Sequence, residues 1–227
     1  MKLEPLGDSA VVATLGTGID PSTLSAVQGL AAAVRAAAHP AITDVVPAYA
    51  TVTVFYDPVR FPGPESPYAS ACAVIGACAR LKTGASSEKP KLVEIPVCYG
   101  GEFGPDVASV AAHNGLSTQD VVLLHAKADY FVQAIGFTPG FPYLAGLPKS
   151  LRTPRRATPR AHVPAGSVAI GGAQTGVYPI DSPGGWHLIG RTPLALFSAA
   201  RIPPALLRPG DLVRFRPISA AELETWK

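Results

Sequence analysis

The run Val163-Pro164-Ala165-Gly166-Ser167-Val168-Ala169-Ile170-Gly171-Gly172-Ala173-Gln174-Thr175-Gly176-Val177-Tyr178 holds short apolar, β-branched segments separated by glycines. Segments of this kind, bounded by Gly and Pro, read as strands joined by tight turns. Strands are expected over Val163 to Ile170 and Gly176 to Ile180, with Gly171 to Gly176 as a hairpin turn. The same glycines would also let backbone N–H groups approach a ligand.

The pattern continues in both directions. Leu92 to Tyr99, Tyr130 to Gly136, Trp186 to Ile189, Leu194 to Phe197 and Leu212 to Pro217 read as further strands. Two short helices interrupt them, Gly104 to His113 and Ser117 to Lys127, the second started by Ser117 with Asp120 three residues on. A last helix begins at Ser219, where Glu222 completes a capping box. Many short strands with turn chemistry predict a barrel or sandwich.

The N-terminal part reads differently. Ala10 to Leu15 suits a strand, and Asp20-Pro21 supplies an N-cap with Pro at the first helical position. Leu24, Val27, Leu30, Ala31 and Val34 then recur at helical spacing, and that helix should end near His39-Pro40. Ile42 to Val46 and Ala50 to Tyr56 read as strands, and Pro67 to Leu81 as a second helix. The order β-α-β-β-α belongs to a small split-βαβ domain. Thr83-Gly84-Ala85-Ser86-Ser87-Glu88-Lys89-Pro90 has linker composition. The expected division is a small α+β domain at 1–84, a linker at 85–91 and a β-barrel domain at 92–227, an α+β chain as a whole.

Composition excludes several classes. With 48% apolar residues, 15% charged and a net charge of +3 in 227 residues, the chain is not disordered. Its 24 prolines exclude a coiled coil. No apolar run reaches the roughly 20 residues that span a bilayer. Met1 to Asp8 lacks the apolar core of a signal peptide. Three cysteines without a CxxC indicate neither a disulfide framework nor a zinc site, so a cytoplasmic chain without metal is expected.

Catalytic motifs are sparse. GxxxxGK[ST], GxGxxG, HExxH and GxSxG are all missing. The scattered His39, His113, His125, His162 and His187 read as surface or satisfied polar residues, and Ser167 as an ordinary strand or turn serine. The informative feature is electrostatic. From Tyr130 to Ile180, 51 residues contain no Asp or Glu, yet Lys149, Arg152, Arg155, Arg156 and Arg160 fall within them. Guanidinium forks match carboxylate and phosphate oxygens, so this stretch reads as an anion-binding surface; the alternative is pairing with acids from elsewhere. Low net charge and few interleaved aromatics exclude nucleic acid as the anion. Phe137-Thr138-Pro139-Gly140-Phe141-Pro142-Tyr143 packs three aromatic rings between prolines, as a pocket wall, a partner surface or a stiff connection. Within Pro183 to Pro193, Trp186 reads as core.

Ile95 to Asp106, Gly136 to Leu147, Arg155 to Arg160, Val163 to Tyr178, Pro183 to Pro193, Gly7-Asp8-Ser9-Ala10 and Pro209 to Phe215 together resemble the KipI/PxpB family, also called allophanate hydrolase subunit 1. The resemblance covers nearly the whole chain. It implies that the C-terminal barrel is cyclophilin-like. It also implies a heteromeric ATP-dependent 5-oxoprolinase, assembled with a KipA/PxpC-type subunit 2 and a PxpA-type subunit, that converts 5-oxo-L-proline to L-glutamate. ATP is the implied cofactor, its site shared with or carried by a partner subunit. Other relatives imply alternatives: a KipI-type inhibitor of a sensor histidine kinase, or a carboxyltransferase-like subunit of urea or amide metabolism.

Carried over residue by residue, the resemblance marks Arg155, Arg160, Gln174, Thr175, Tyr178 and Arg191 as anion clamps and polar orienters. Phe141, Pro142, Tyr143 and Trp186 would form a pocket wall or contact subunit 2. No catalytic residue is assigned, and the nucleophile with a base that an amide hydrolase uses is not visible in the sequence.

Overall fold

Alternating burial along Ala10-Val11-Val12-Ala13-Thr14, with Val11 and Ala13 fully inside, marks a strand with one face on a core. It belongs to the first of two units, Met1–Lys89 and Pro90–Lys227, in a computed structural model that describes residues 1–18, 21–81 and 91–226. The expected Asp20 cap and the expected linker, up to Pro90, lie outside the described residues.

The first unit runs β1 (Lys2–Pro5), β2 (Ala10–Thr14), α1 (Pro21–Ala36), β3 (Ile42–Ala48), β4 (Thr51–Tyr56) and α2 (Pro67–Arg80). The sheet order is β1-β2-β4-β3, with every neighbouring pair antiparallel. Strand β4 therefore lies between β2 and β3, the two strands that α1 connects, which is the split-βαβ arrangement. Val27 and Val34 of α1 and Ile75 of α2 close over Val11, Val52 and Val54. Helix α2 starts at Ser66, whose hydroxyl accepts from the Ala69 N–H at 3.2 Å, with Pro67 in the first turn. Strand β1 was not expected. As an edge strand with only Leu3 partly covered, Lys2-Leu3-Glu4-Pro5 carries no apolar alternation to announce it.

The second unit contains β5 (Leu92–Tyr99), α3 (Val107–Asn114), α4 (Thr118–Lys127), β6 (Asp129–Ile135), β7 (Pro142–Ala145), β8 (Arg160–Val163), β9 (Ser167–Gly171), β10 (Gln174–Val177), β11 (Ser182–Gly184), β12 (His187–Arg191), β13 (Leu212–Pro217) and α5 (Ala220–Glu224). Seven strands close into a barrel in the order β10-β7-β6-β13-β5-β12-β9. All its pairs are antiparallel except β13 with β5. Ile95, Val132, Leu144, Ile170, Ile189 and Phe215 fill the interior. The capping boxes at Ser117–Asp120 and Ser219–Glu222 are both formed.

Three expectations need correction. Val163 to Ile170 is not one strand: Pro164-Ala165-Gly166 turns the chain, with Gly166 at φ +80°, and β8 leaves the barrel to pair with β11. Leu194 to Phe197 is not a strand. It makes a single bridge, Phe197 to Ala205, because the facing Pro203 and Pro204 have no N–H to donate. The strand expected over Gly176 to Ile180 instead runs Gln174–Val177 and stops before Pro179, which has no N–H to donate. Gly171 to Gly176 does contain the expected hairpin, closed at Gly172-Ala173 between β9 and β10.

Candidate functional site

Residue alternation on β9 and β10 sorts side chains to two faces. Val168, Ile170, Thr175 and Val177 point into the barrel. On the outer face, Ala169 and Tyr178 gather with Phe141, Val163, Trp186 and Leu188 in a second cluster, against which Tyr143 packs. The rings meet edge to face: Phe141 lies 5.0 Å from Tyr143, 5.2 Å from Tyr178 and 5.5 Å from Trp186. Two glycines permit this packing. A Cβ on Gly171 would stand 2.5 Å from the Trp186 indole, and one on Gly184 would overlap the Tyr178 phenol.

Above these rings opens a cleft of 320 Å³. Phe137, Phe141, Tyr143, Tyr178 and Trp186 supply its apolar walls, and Arg155 and Arg156 reach its rim from the strap 152–159. The strap is fastened along its length. Thr153 pairs with Gly172 through two backbone hydrogen bonds, His187 Nε2 lies 2.9 Å from the Pro154 carbonyl, and the Arg156 N–H donates to Gly185 O at 2.8 Å.

Charge fastens it further. Arg160 donates to both carboxylate oxygens of Asp106 at 2.8 Å, and Arg156 Nη1 reaches Oδ1 at 3.2 Å. Asp106 precedes α3 and is 5% exposed. Its Oδ2 also accepts the Leu188 N–H at 2.7 Å. Burial raises the Asp106 pKa, but the hydrogen bonds from Arg160 and Leu188 and the charges of Arg160 and Arg156 outweigh it and hold the carboxyl below its ordinary value.

The sequence-predicted residues therefore separate. Phe141, Tyr143, Arg155, Tyr178 and Trp186 meet at the cleft. The expectation of unpaired cations is corrected for Arg156 and Arg160, which an acid outside the stretch neutralises. Arg160 does not line the cleft. Thr175, expected as a polar orienter of ligand, is fully buried on the barrel's inner face. Its hydroxyl donates to Ala169 O at 2.9 Å and sits 2.9 Å from His125 Nε2, while His125 Nδ1 lies 2.8 Å from the Tyr99 hydroxyl. One assignment satisfies the chain: Tyr99 O–H to Nδ1, Nε2–H to Thr175, Thr175 O–H to the carbonyl. Burial lowers the His125 pKa to about 3, so the ring is neutral.

Gln174 is half-buried with its amide nitrogen unpartnered. Arg191 lies over Phe103 at 5.3 Å, away from the cleft. Pro142 is buried in β7. His187, read as an ordinary polar residue, is buried against the strap. Phe137, with φ +67°, is in the wall, as the pocket-wall reading of its segment had it, and the one contributor missed is Asp106, which anchors the strap. The signal for Asp106 lay in the notion of partner acids, but its position on the far side of α3 and α4 in sequence hid it. Among the described residues no group of acids, histidines and cysteines is arranged to hold a metal.

The chain matches the family described as carboxyltransferase domain, subdomain C and D, over residues 1–207. It is 43% identical over 233 residues to a 5-oxoprolinase subunit from Bacillus subtilis, covering 100% of this chain and 96% of the relative. To the identically named subunit from Escherichia coli O157:H7 it is 46% identical over 217 residues, covering 93% and 94%. Among solved structures, TTHA0988 superposes with a TM-score of 0.80 at 39% identity over 93% of this chain and 40% of that one.

Proposed function

The chain belongs to the carboxyltransferase-domain family of subdomains C and D, and from that premise we propose that it is the PxpB-type subunit of an ATP-dependent 5-oxoprolinase, opening 5-oxo-L-proline to L-glutamate. The observation that carries this reading is the match to 5-oxoprolinase subunits from end to end of both chains. A match confined to the barrel would support only a shared fold.

A subunit role also suits the chemistry of the chain. Among the described residues, neither His125, sealed in the barrel, nor His187, buried against the strap, lines the cleft, so neither serves as a base toward it. A lactam carbonyl is a poor electrophile, and ATP supplies the phosphoryl group that turns its oxygen into a leaving group. The cleft does not fit ATP. Its walls are aromatic, and 320 Å³ is at the small end of ligand pockets, which run from about 300 to 1,000 Å³. Nucleotide is therefore placed outside this cleft, and the resemblance to the KipI/PxpB family favours a site shared with or carried by a partner subunit. The partners proposed are a KipA/PxpC-type subunit 2 and a PxpA-type subunit. A cytoplasmic setting agrees with three free cysteines.

The test is reconstitution. ATP hydrolysis dependent on 5-oxoproline is expected from the mixture of three subunits and not from this chain alone. Turnover by the lone chain would refute the subunit role, and none by the full mixture would remove the oxoprolinase reading. The family's designation favours one second reading, a carboxyltransferase-like role, for which turnover would require carboxybiotin and not the lactam.

A further inference from the structure

Arg155 differs from its neighbours in the strap. Arg156 and Arg160 are committed to Asp106, whereas Arg155 is exposed and has no acid partner among the described residues. Its guanidinium stands 5.8 Å from the centroid of Trp186, at the mouth of the cleft. A guanidinium resting on an indole keeps its N–H edges free for an acceptor, and its planar fork suits a carboxylate. No Asp or Glu lines the cleft to oppose it.

The walls specify the rest of the guest. Ring edges and faces of Phe137, Phe141, Tyr143 and Trp186 favour a flat apolar body over a branched or extended one. The volume admits one small ring. An open-chain acid would cover less of the aromatic walls than a compact ring, and a cation would meet two arginines. We infer that this cleft binds a small flat ring bearing a carboxylate, with Arg155 as the residue that reads the acid. The class follows from the cleft; choosing a five-membered lactam acid within it rests on the oxoprolinase reading. Asp106 takes part only as a positioning residue, since it holds the strap that presents Arg155.

The chain has two tryptophans, so Trp226→Phe leaves Trp186 as the sole reporter. In that background, 5-oxo-L-proline is expected to change Trp186 fluorescence saturably, and 2-pyrrolidinone, the same ring without the acid, to bind more weakly. Arg155→Ala should weaken 5-oxo-L-proline about tenfold or more, the scale of a charge-assisted hydrogen bond, and leave 2-pyrrolidinone unchanged. Arg155→Lys should fall between the two. No saturable response to the acid, or equal loss for both probes, overturns the inference. So does loss of co-purification with the partner subunits on Arg155→Ala at unchanged ligand affinity, which would reassign the cleft to a partner's chain. If the reconstituted assembly turns over the lactam while this chain shows no binding, the site falls and the subunit reading stands. Binding without turnover in the assembly has the opposite consequence.

Discussion

Arg160 and Asp106 join through two hydrogen bonds of 2.8 Å, Nη1 to Oδ2 and Nη2 to Oδ1, across 54 residues of sequence. The carboxylate of Asp106 also accepts the Leu188 N–H, so one buried acid ties the start of α3, strand β8 and strand β12 together. The mouth of the cleft hangs from this junction, because Arg156 in the strap shares the same acid.

Asp106→Asn removes the charge that neutralises two arginines. Breaking a partly buried ion pair while leaving one side in place costs about 2–4 kcal/mol, read as a lower denaturant midpoint. Since the folded Asp106 pKa lies below its unfolded value of about 3.9, its contribution is fully present above that pH. It is lost only as pH falls through the folded value. Unchanged stability at pH 7 would contradict the junction.

His125 sets a different pH dependence. Its folded pKa is lowered to about 3, while the unfolded chain takes up the proton near pH 6.5. The unfolded state thus binds more protons between these values, and stability should decrease as pH is lowered, by about 1.4 kcal/mol per unit from this group. Above about pH 6.5 the contribution is level. His125→Gln should lower stability at pH 8 yet flatten the decline between pH 6 and 4, measured by urea unfolding. A parallel curve would rule out His125 as the source.

Thr175→Val probes the barrel's inner polar chain. Removing the hydroxyl leaves His125 Nε2–H and the Ala169 carbonyl without their partner, a loss of about 1–3 kcal/mol. Because Thr175 faces inward, affinity for 5-oxo-L-proline should be unchanged. A large affinity loss would return Thr175 to the binding surface.

Gly171→Ala tests the seat of Trp186. The added methyl meets the indole 2.5 Å away and forces it to move. Overpacking of this kind costs about 1–3 kcal/mol. A shifted Trp186 emission and weaker ligand binding should accompany it. Unaltered emission would show that the indole does not rest on β9.

Local chemistry determined the helices and most strands from sequence: Ser117 and Ser219 with their partner acids three residues on, Pro67 in a first turn, Gly172 in the turn between β9 and β10. Arg155 was legible from its place in a cationic stretch without acids, whereas Tyr178 and Trp186 were marked as site residues only by the family resemblance, Trp186 reading as core on its own. What sequence left open was direction and pairing. Whether Thr175 faces ligand or core depends on which face of β10 closes the barrel, a property of strand register. Which of three arginines stays free depends on Asp106 arriving from 54 positions away, and a contact at that separation exists only once the chain has folded.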